Sequence, residues 1–191
     1  MRIEGEYKMR QVYFLSFMVF ILGTSNSFAE GFSVSSADIS GQLSKAQVFS
    51  GWGCKGDNIS PKLKWSNPPK GTKSFAVTVY DPDAPTGSGW WHWLIFNIPA
   101  AHHELKQGAG NLTLNLAPKG AVQSVTSYGT TGYGGACPPK GDQAHRYIFT
   151  VFALNKAQLK FDEKTMPAII GYQLNANSLA KASIMAYYQR K

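Results

Sequence analysis

Three segments restrict the fold of this chain more than any other feature. Residues 73–80 (KSFAVTVY), 92–98 (HWLIFNI) and 146–154 (RYIFTVFAL) are rich in β-branched and aromatic residues and are apolar at both odd and even positions. A strand with one wet face alternates apolar and polar residues, whereas a strand without that alternation has to be covered on both sides. The pattern predicts three central strands between two covering layers. Connections dense in Gly and Pro, residues 81–91 and 128–142, lie beside them, where a rigid scaffold usually displays its chemistry. Residues 32–49 alternate without a helical period and lead into a turn-rich loop marked by Gly51, Gly53, Gly56, Asp57, Asn58 and Pro61. Only the C-terminus reads as helical. Residues 166–172 form a short helix with Pro167 in its first turn, and residues 178–190 a longer one capped by Asn177, with Leu179, Ala182, Met185 and Ala186 as its apolar stripe. The expected fold is mainly β, an antiparallel β-sandwich with C-terminal helices.

The N-terminus reads as an address. Residues 12–22 (VYFLSFMVFIL) are apolar except for Ser16, follow Lys8 and Arg10, and precede the small-x-small triplet Ser27-Phe28-Ala29. That is the layout of a cleaved secretory signal, too short to span a bilayer comfortably. Glu4 and Glu6 are foreign to a signal start, which makes Met9 the better initiator. The expected organisation is a signal over 1–29 and one domain over 30–191, located in the periplasm or secreted. In such a compartment an even cysteine count predicts a bridge, Cys54 to Cys137. Neither cysteine has the paired spacing of a zinc site, so no metal and no cofactor is expected.

The net charge is +8, but the lysines are scattered without a run of five, which argues against nucleic acid as a partner. Phosphates or anionic lipid fit a basic chain, and solubility alone also explains it. Four polar positions stand at informative spacings. Asp81 and Asp83 flank Pro82, so both carboxylates share one side of an extended segment. His145 and Tyr147 share a strand face with Arg146 opposite, and His92 opens its own strand. Two histidines with two carboxylates could hold zinc or act as acid and base on a phosphate ester. No HExxH, GxSxG or P-loop pattern accompanies them, and the non-enzymatic reading is preferred.

The complete strings say more than the pairs. Asp81-Pro82-Asp83-Ala84-Pro85, Gly89-Trp90-Trp91-His92-Trp93, residues 132–139 (GYGGACPP) and His145-Arg146-Tyr147 closely resemble, in order and spacing, the signature blocks of the phosphatidylethanolamine-binding protein family, above all its bacterial branch of kinase-inhibitor homologues. The resemblance extends from about Phe32 to Arg190. It implies a β-sandwich with a small pocket for a phosphate-like anion or a phosphorylated head group. The ligand-binding set carried over is Asp81, Asp83, Pro85, His92, Gly135, His145 and Tyr147. It also implies a protein partner, such as a kinase or protease, and peripheral contact with a membrane; a secreted effector acting through its surface is a further reading. Cys137 departs from the family, many eukaryotic relatives having Gly beside the Pro-Pro pair, so the disulfide is expected to brace that loop. The Ala84–Pro85 peptide is expected to be cis, as in the similar family segment. A carboxylate raises the imidazole pKa beside it, so His92 and His145 are both expected to charge, with anion binding strengthening below about pH 6.5.

Overall fold

The three segments apolar on both faces form the centre of one sheet. The computed structural model describes residues 31–191, and the segment read as an export signal lies outside the described residues. In chain order the strands are β1 (Ser33–Ser35), β2 (Ser50–Gly51), β3 (Cys54–Lys55), β4 (Leu63–Ser66), β5 (Ser74–Asp81), β6 (Trp90–Pro99), β7 (Glu104–Leu105), β8 (Val122–Gln123), β9 (His145–Leu154) and β10 (Ser178–Tyr188), with one α-helix, α1 (Pro167–Ala176), between the last two. The main sheet runs β10-β9-β5-β6-β8, a smaller one β1-β4-β7, and β2 pairs with β3. Every ladder is antiparallel.

Two hydrophobic layers explain the lack of alternation. On one face Phe75, Val77 and Val79 of β5, Trp93 and Ile95 of β6, and Phe149 and Val151 of β9 pack with Leu63, Trp65 and Leu105 of the smaller sheet. On the other, Ala76, Leu94, Phe96, Phe152 and Leu154 lie under Ile170 and Leu174 of α1 and under Leu159. Burying each large side chain contributes about 1.5–3 kcal/mol, so both layers are needed to hold the central strands in place. Among the described residues the fold is mostly β, with three sheets and a single α-helix.

Two register shifts interrupt the pairing of β6 with β5. Val79 pairs with Trp93 and Tyr80 with Trp91, leaving His92 as an extra residue; Phe75 pairs with Ile98 and Val77 with Ile95, leaving a second shift near Asn97. A bulge re-aims side chains, and the first turns His92 to the same side as Trp93 and against the Tyr147 ring. At the second, Asn97 has φ +60 and its amide exchanges hydrogen bonds with Leu159. Because β5 runs antiparallel to β6 and β9, the end of the first and the starts of the other two meet at one end of the sheet.

The C-terminal segment departs from expectation. The first predicted helix is present and runs on to Ala176, but the second does not form, and residues 178–188 are instead the edge strand β10, paired with β9 from Ser178 to Tyr188. Alanine, leucine, lysine and methionine favour helix weakly, and a ladder to a buried strand outweighs that preference. The side chains accordingly alternate. Ala182 and Ala186 face the interior, while Leu179, Lys181, Ser183, Met185 and Tyr187 face outward. A helix would put Met185 beside Ala186 in a buried stripe; the strand separates them. Met185→Lys is therefore expected to change stability by no more than about 0.5 kcal/mol, whereas Ala186→Leu should cost about 1–3 kcal/mol through overpacking. Urea denaturation of both variants checks this, and a large loss for Met185→Lys would contradict the strand assignment.

Candidate functional site

Asp81 closes β5 on the inner face and is 2% exposed. Its Oδ2 accepts from His145 Nδ1 at 2.7 Å. Its Oδ1 accepts from the backbone N–H of Asp83 at 2.8 Å and of Ala84 at 3.1 Å. One carboxylate thus caps the DPDAP turn and fixes a histidine. The turn needs no cis bond, and none occurs among the described residues, so the Ala84–Pro85 peptide is trans, contrary to expectation. Closure comes instead from the two bonds to Asp81 and one from Thr86 N–H to Ala84 C=O at 2.8 Å.

His145 opens β9 with Tyr147 two residues on, and both are buried on the inner face. The far nitrogen of His145, Nε2, lies 3.5 Å from Asp142 Oδ2. His92 donates from Nδ1 to Gly134 C=O at 2.8 Å, with Gly135 C=O at 3.2 Å; carbonyls only accept, so Nδ1 bears the proton. Burial pushes the His92 pKa down to about 4, outweighing the carbonyls and the Asp81 charge that pull it up. The expectation that His92 charges near pH 6.5 is corrected on this ground: desolvation wins, and the ring is neutral above about pH 5. Burial first, and the Asp81 charge second, raise the Tyr147 hydroxyl far above the ordinary tyrosine range, so it remains an O–H donor.

Asp81, Pro85, His92, His145 and Tyr147 come together around a cavity of about 260 Å³. Two residues of the expected set do not line it. Asp83 points outward, forming a two-pronged ion pair with Arg146 at 2.6 and 2.9 Å and accepting the Arg146 backbone N–H, bonds that hold its pKa at about 2. Gly135 sits behind His92, its carbonyl taking the Tyr128 hydroxyl at 2.7 Å and its N–H donating to Asn58 at 2.7 Å. A side chain there would meet Gln47 C=O at 2.4 Å, so only glycine lets the loop close behind the ring.

The sequence reading missed the other wall. Trp52, Trp90, Tyr128 and Arg190 also line the cavity. Trp52, 64% exposed, stands 5.0 Å from the Tyr128 ring and 5.9 Å from Trp90. Arg190 reaches back from the C-terminus to donate to Trp52 C=O at 3.4 Å and Gly53 C=O at 3.1 Å. Trp90 belongs to a motif already singled out, but Trp52 is hidden in a glycine-rich turn and Arg190 in the terminal tail. Cys54 and Cys137 are joined, with Cα atoms 5.9 Å apart, tying the Trp52 turn to the loop before Pro138. Among the described residues no three His, Cys, Asp or Glu side chains group closely enough to hold a metal ion.

The family profile for phosphatidylethanolamine-binding protein matches residues 35–189, nearly all of the described chain. The chain belongs to that family. Among its relatives, the YbcL protein of Escherichia coli K12 is 51% identical over 170 residues, covering 88% of this chain and 93% of YbcL. YbhB of the same strain is 52% identical over 147 residues, covering 77% and 92%. The crystal structure of Escherichia coli YbcL, described as a new member of the mammalian family, superposes with a TM-score of 0.83 at 52% identity over 85% of this chain and all of that one. A phosphatidylethanolamine-binding protein homologue from Chlamydia trachomatis gives 0.69 at 28% identity, over 84% of this chain and 99% of that one.

The bridge spans 83 residues of a phosphatidylethanolamine-binding fold that otherwise depends on packing. By loop-closure entropy, replacing both cysteines with serine should cost up to about 4–5 kcal/mol. Guanidinium unfolding of the double variant measures it, and a loss under about 1 kcal/mol would show that the bridge does not restrain the unfolded chain.

Proposed function

We propose that the cavity binds a small phosphate-like anion or phosphorylated head group without chemical turnover. One observation carries the reading. Among the described residues His92 Nε2 and Tyr147 Oη, which belong to residues of the cavity wall, are buried polar atoms with no hydrogen-bond partner. An unsatisfied buried polar atom costs about 1–3 kcal/mol, so a ligand that meets both recovers that energy. Arg190 supplies positive charge at the rim, and His145 an imidazole aligned by Asp81. Binding rather than catalysis is favoured by the lack of an activated nucleophile in the wall: Cys137 is bridged, and both Asp81 oxygens are already engaged. Family membership supports a binding protein of this type.

We further propose that the protein works outside the cytoplasm. The charged start, apolar run and small-x-small triplet before Glu30 support export, and the Cys54–Cys137 bridge suits an oxidising compartment.

Tyr147→Phe and His145→Ala are each expected to weaken phosphate binding by about 1.5–3 kcal/mol, the range for hydrogen bonds to charged groups. Arg146→Ala, whose guanidinium is engaged with Asp83 outside the cavity, should leave affinity unchanged. Isothermal titration calorimetry at one pH decides: wild-type affinity in Tyr147→Phe, which keeps the ring and its packing, would sink the anion-pocket reading.

A further inference from the structure

The two unpartnered atoms in the cavity wall are not equivalent, and the difference selects a form of ligand. His92 Nδ1 is committed to the carbonyls of Gly134 and Gly135, and its proton with it. The other nitrogen, Nε2, therefore offers only a lone pair. Such an atom repels the oxygens of a fully ionised phosphate and calls for a hydrogen that the ligand brings. Tyr147 offers the opposite, an O–H with no acceptor among the described residues. Together they form an acceptor and a donor in one wall, the complement of a P–OH beside a P–O⁻.

Charge points the same way. Among the described residues Arg190 is the only Arg or Lys lining the cavity, while the carboxylate of Asp81 is part of the wall and that of Asp142 stands at His145. A second negative charge on the ligand gains no further fixed cation and meets Asp81 at close range.

We infer that the site takes the singly charged, protonated form of a phosphomonoester or of free phosphate, its P–OH donating to His92 Nε2 and an unprotonated oxygen accepting from Tyr147. The inference rests on the anion-pocket reading above and narrows it. Diesters, which include the head group of an intact phosphatidylethanolamine, carry no P–OH and are disfavoured; a soluble monoester and the monoester head group of a lipid share the required chemistry.

The test uses wild-type protein and calorimetry with inorganic phosphate, methyl phosphate, dimethyl phosphate and sulfate at pH 5.5. At that pH much of a monoester, with a second pKa of about 6, keeps its proton. Phosphate and methyl phosphate should bind at least tenfold tighter than sulfate and dimethyl phosphate, which are anions of similar shape without the proton. Repeating the titrations from pH 5 to 8.5, affinity for the monoester should fall towards tenfold per pH unit above its second pKa. Groups facing His92 and the cavity also titrate or carry charge, namely Asp81, His145, Tyr128, Tyr147, Asp142 and Arg190. A pair of ligands separates their effect from the ligand's own: difluoromethylphosphonate, with the lower second pKa, should lose affinity at lower pH than methylphosphonate. Equal binding of sulfate and phosphate, or one shared midpoint for both phosphonates, would overturn the inference and leave the anion pocket standing. Failure of all these anions to bind would remove the anion pocket itself. Intact vesicles of phosphatidylethanolamine against vesicles containing phosphatidic acid separate the lipid source from the soluble one, with binding expected only for the latter vesicles if lipid is the source.

Discussion

The buried contact between Asp81 and His145 is what the rest of the site depends on. It links the end of β5 to the start of β9, which lie 64 residues apart in sequence and side by side in the sheet. Both side chains are almost fully buried, so each is the other's main compensation for leaving water, and removing one partner of such a pair commonly costs about 3–5 kcal/mol. Because the second oxygen of Asp81 holds the backbone of the DPDAP turn, the same contact sets where Pro85 stands at the cavity edge. Fold and site therefore share one carboxylate, which has a structural role and a functional position at once.

Around that contact the sheet does the positioning. Strands β5, β6 and β9 bring Asp81, His92 and His145 to one end only because they are antiparallel, and period-two geometry then gives Tyr147 the same face as His145. His92 breaks the period. Without the bulge at that residue, alternation would place it opposite Trp93, on the side covered by α1; the extra residue puts the imidazole inside, against Tyr147 and the carbonyls of Gly134 and Gly135. The bulge leaves one unpaired ladder position beside the cavity, which the bond from Gly134 N–H to His92 C=O recovers.

How much of the molecule is legible in the sequence depends on how local each signal is. The central strands can be read because burial on both faces leaves its mark residue by residue, as in Phe75 to Val79. β10 cannot, because its two fully buried positions, Ala182 and Ala186, are both alanines and its outward ones include Leu179 and Met185, so the hydrophobic pattern suggests a helix and only the partner strand decides otherwise. Asp81, His92, His145 and Tyr147 are identified through family blocks and spacing, yet the same blocks include Asp83. Nothing local reveals that Arg146, on the opposite face of its strand from His145, takes Asp83 away from the cavity. Trp52 and Arg190 lie 138 residues apart and become neighbours only through the tertiary fold. The charge state of His92 escapes the sequence for a related reason: the nearby carboxylate is visible there, whereas the depth of burial that outweighs it is not.

The two walls of the cavity are held by different physics. On one side Asp81, His92, His145 and Tyr147 are fixed by strands whose side chains cannot move without disturbing the core. On the other, Trp52 sits at φ +50 in a short turn and leans on Tyr128 and Trp90, and its backbone is held by the Cys54 bridge and by Arg190. Few buried contacts restrain that turn, so the covalent tie does what packing does elsewhere. Under the proposed reading, a rigid polar floor would hold the head of the ligand and a tethered aromatic rim would leave room for its substituent at the mouth. On that reading recognition would be concentrated in the floor, where hydrogen-bond polarity is set most of all by an imidazole whose one proton is already committed to backbone carbonyls.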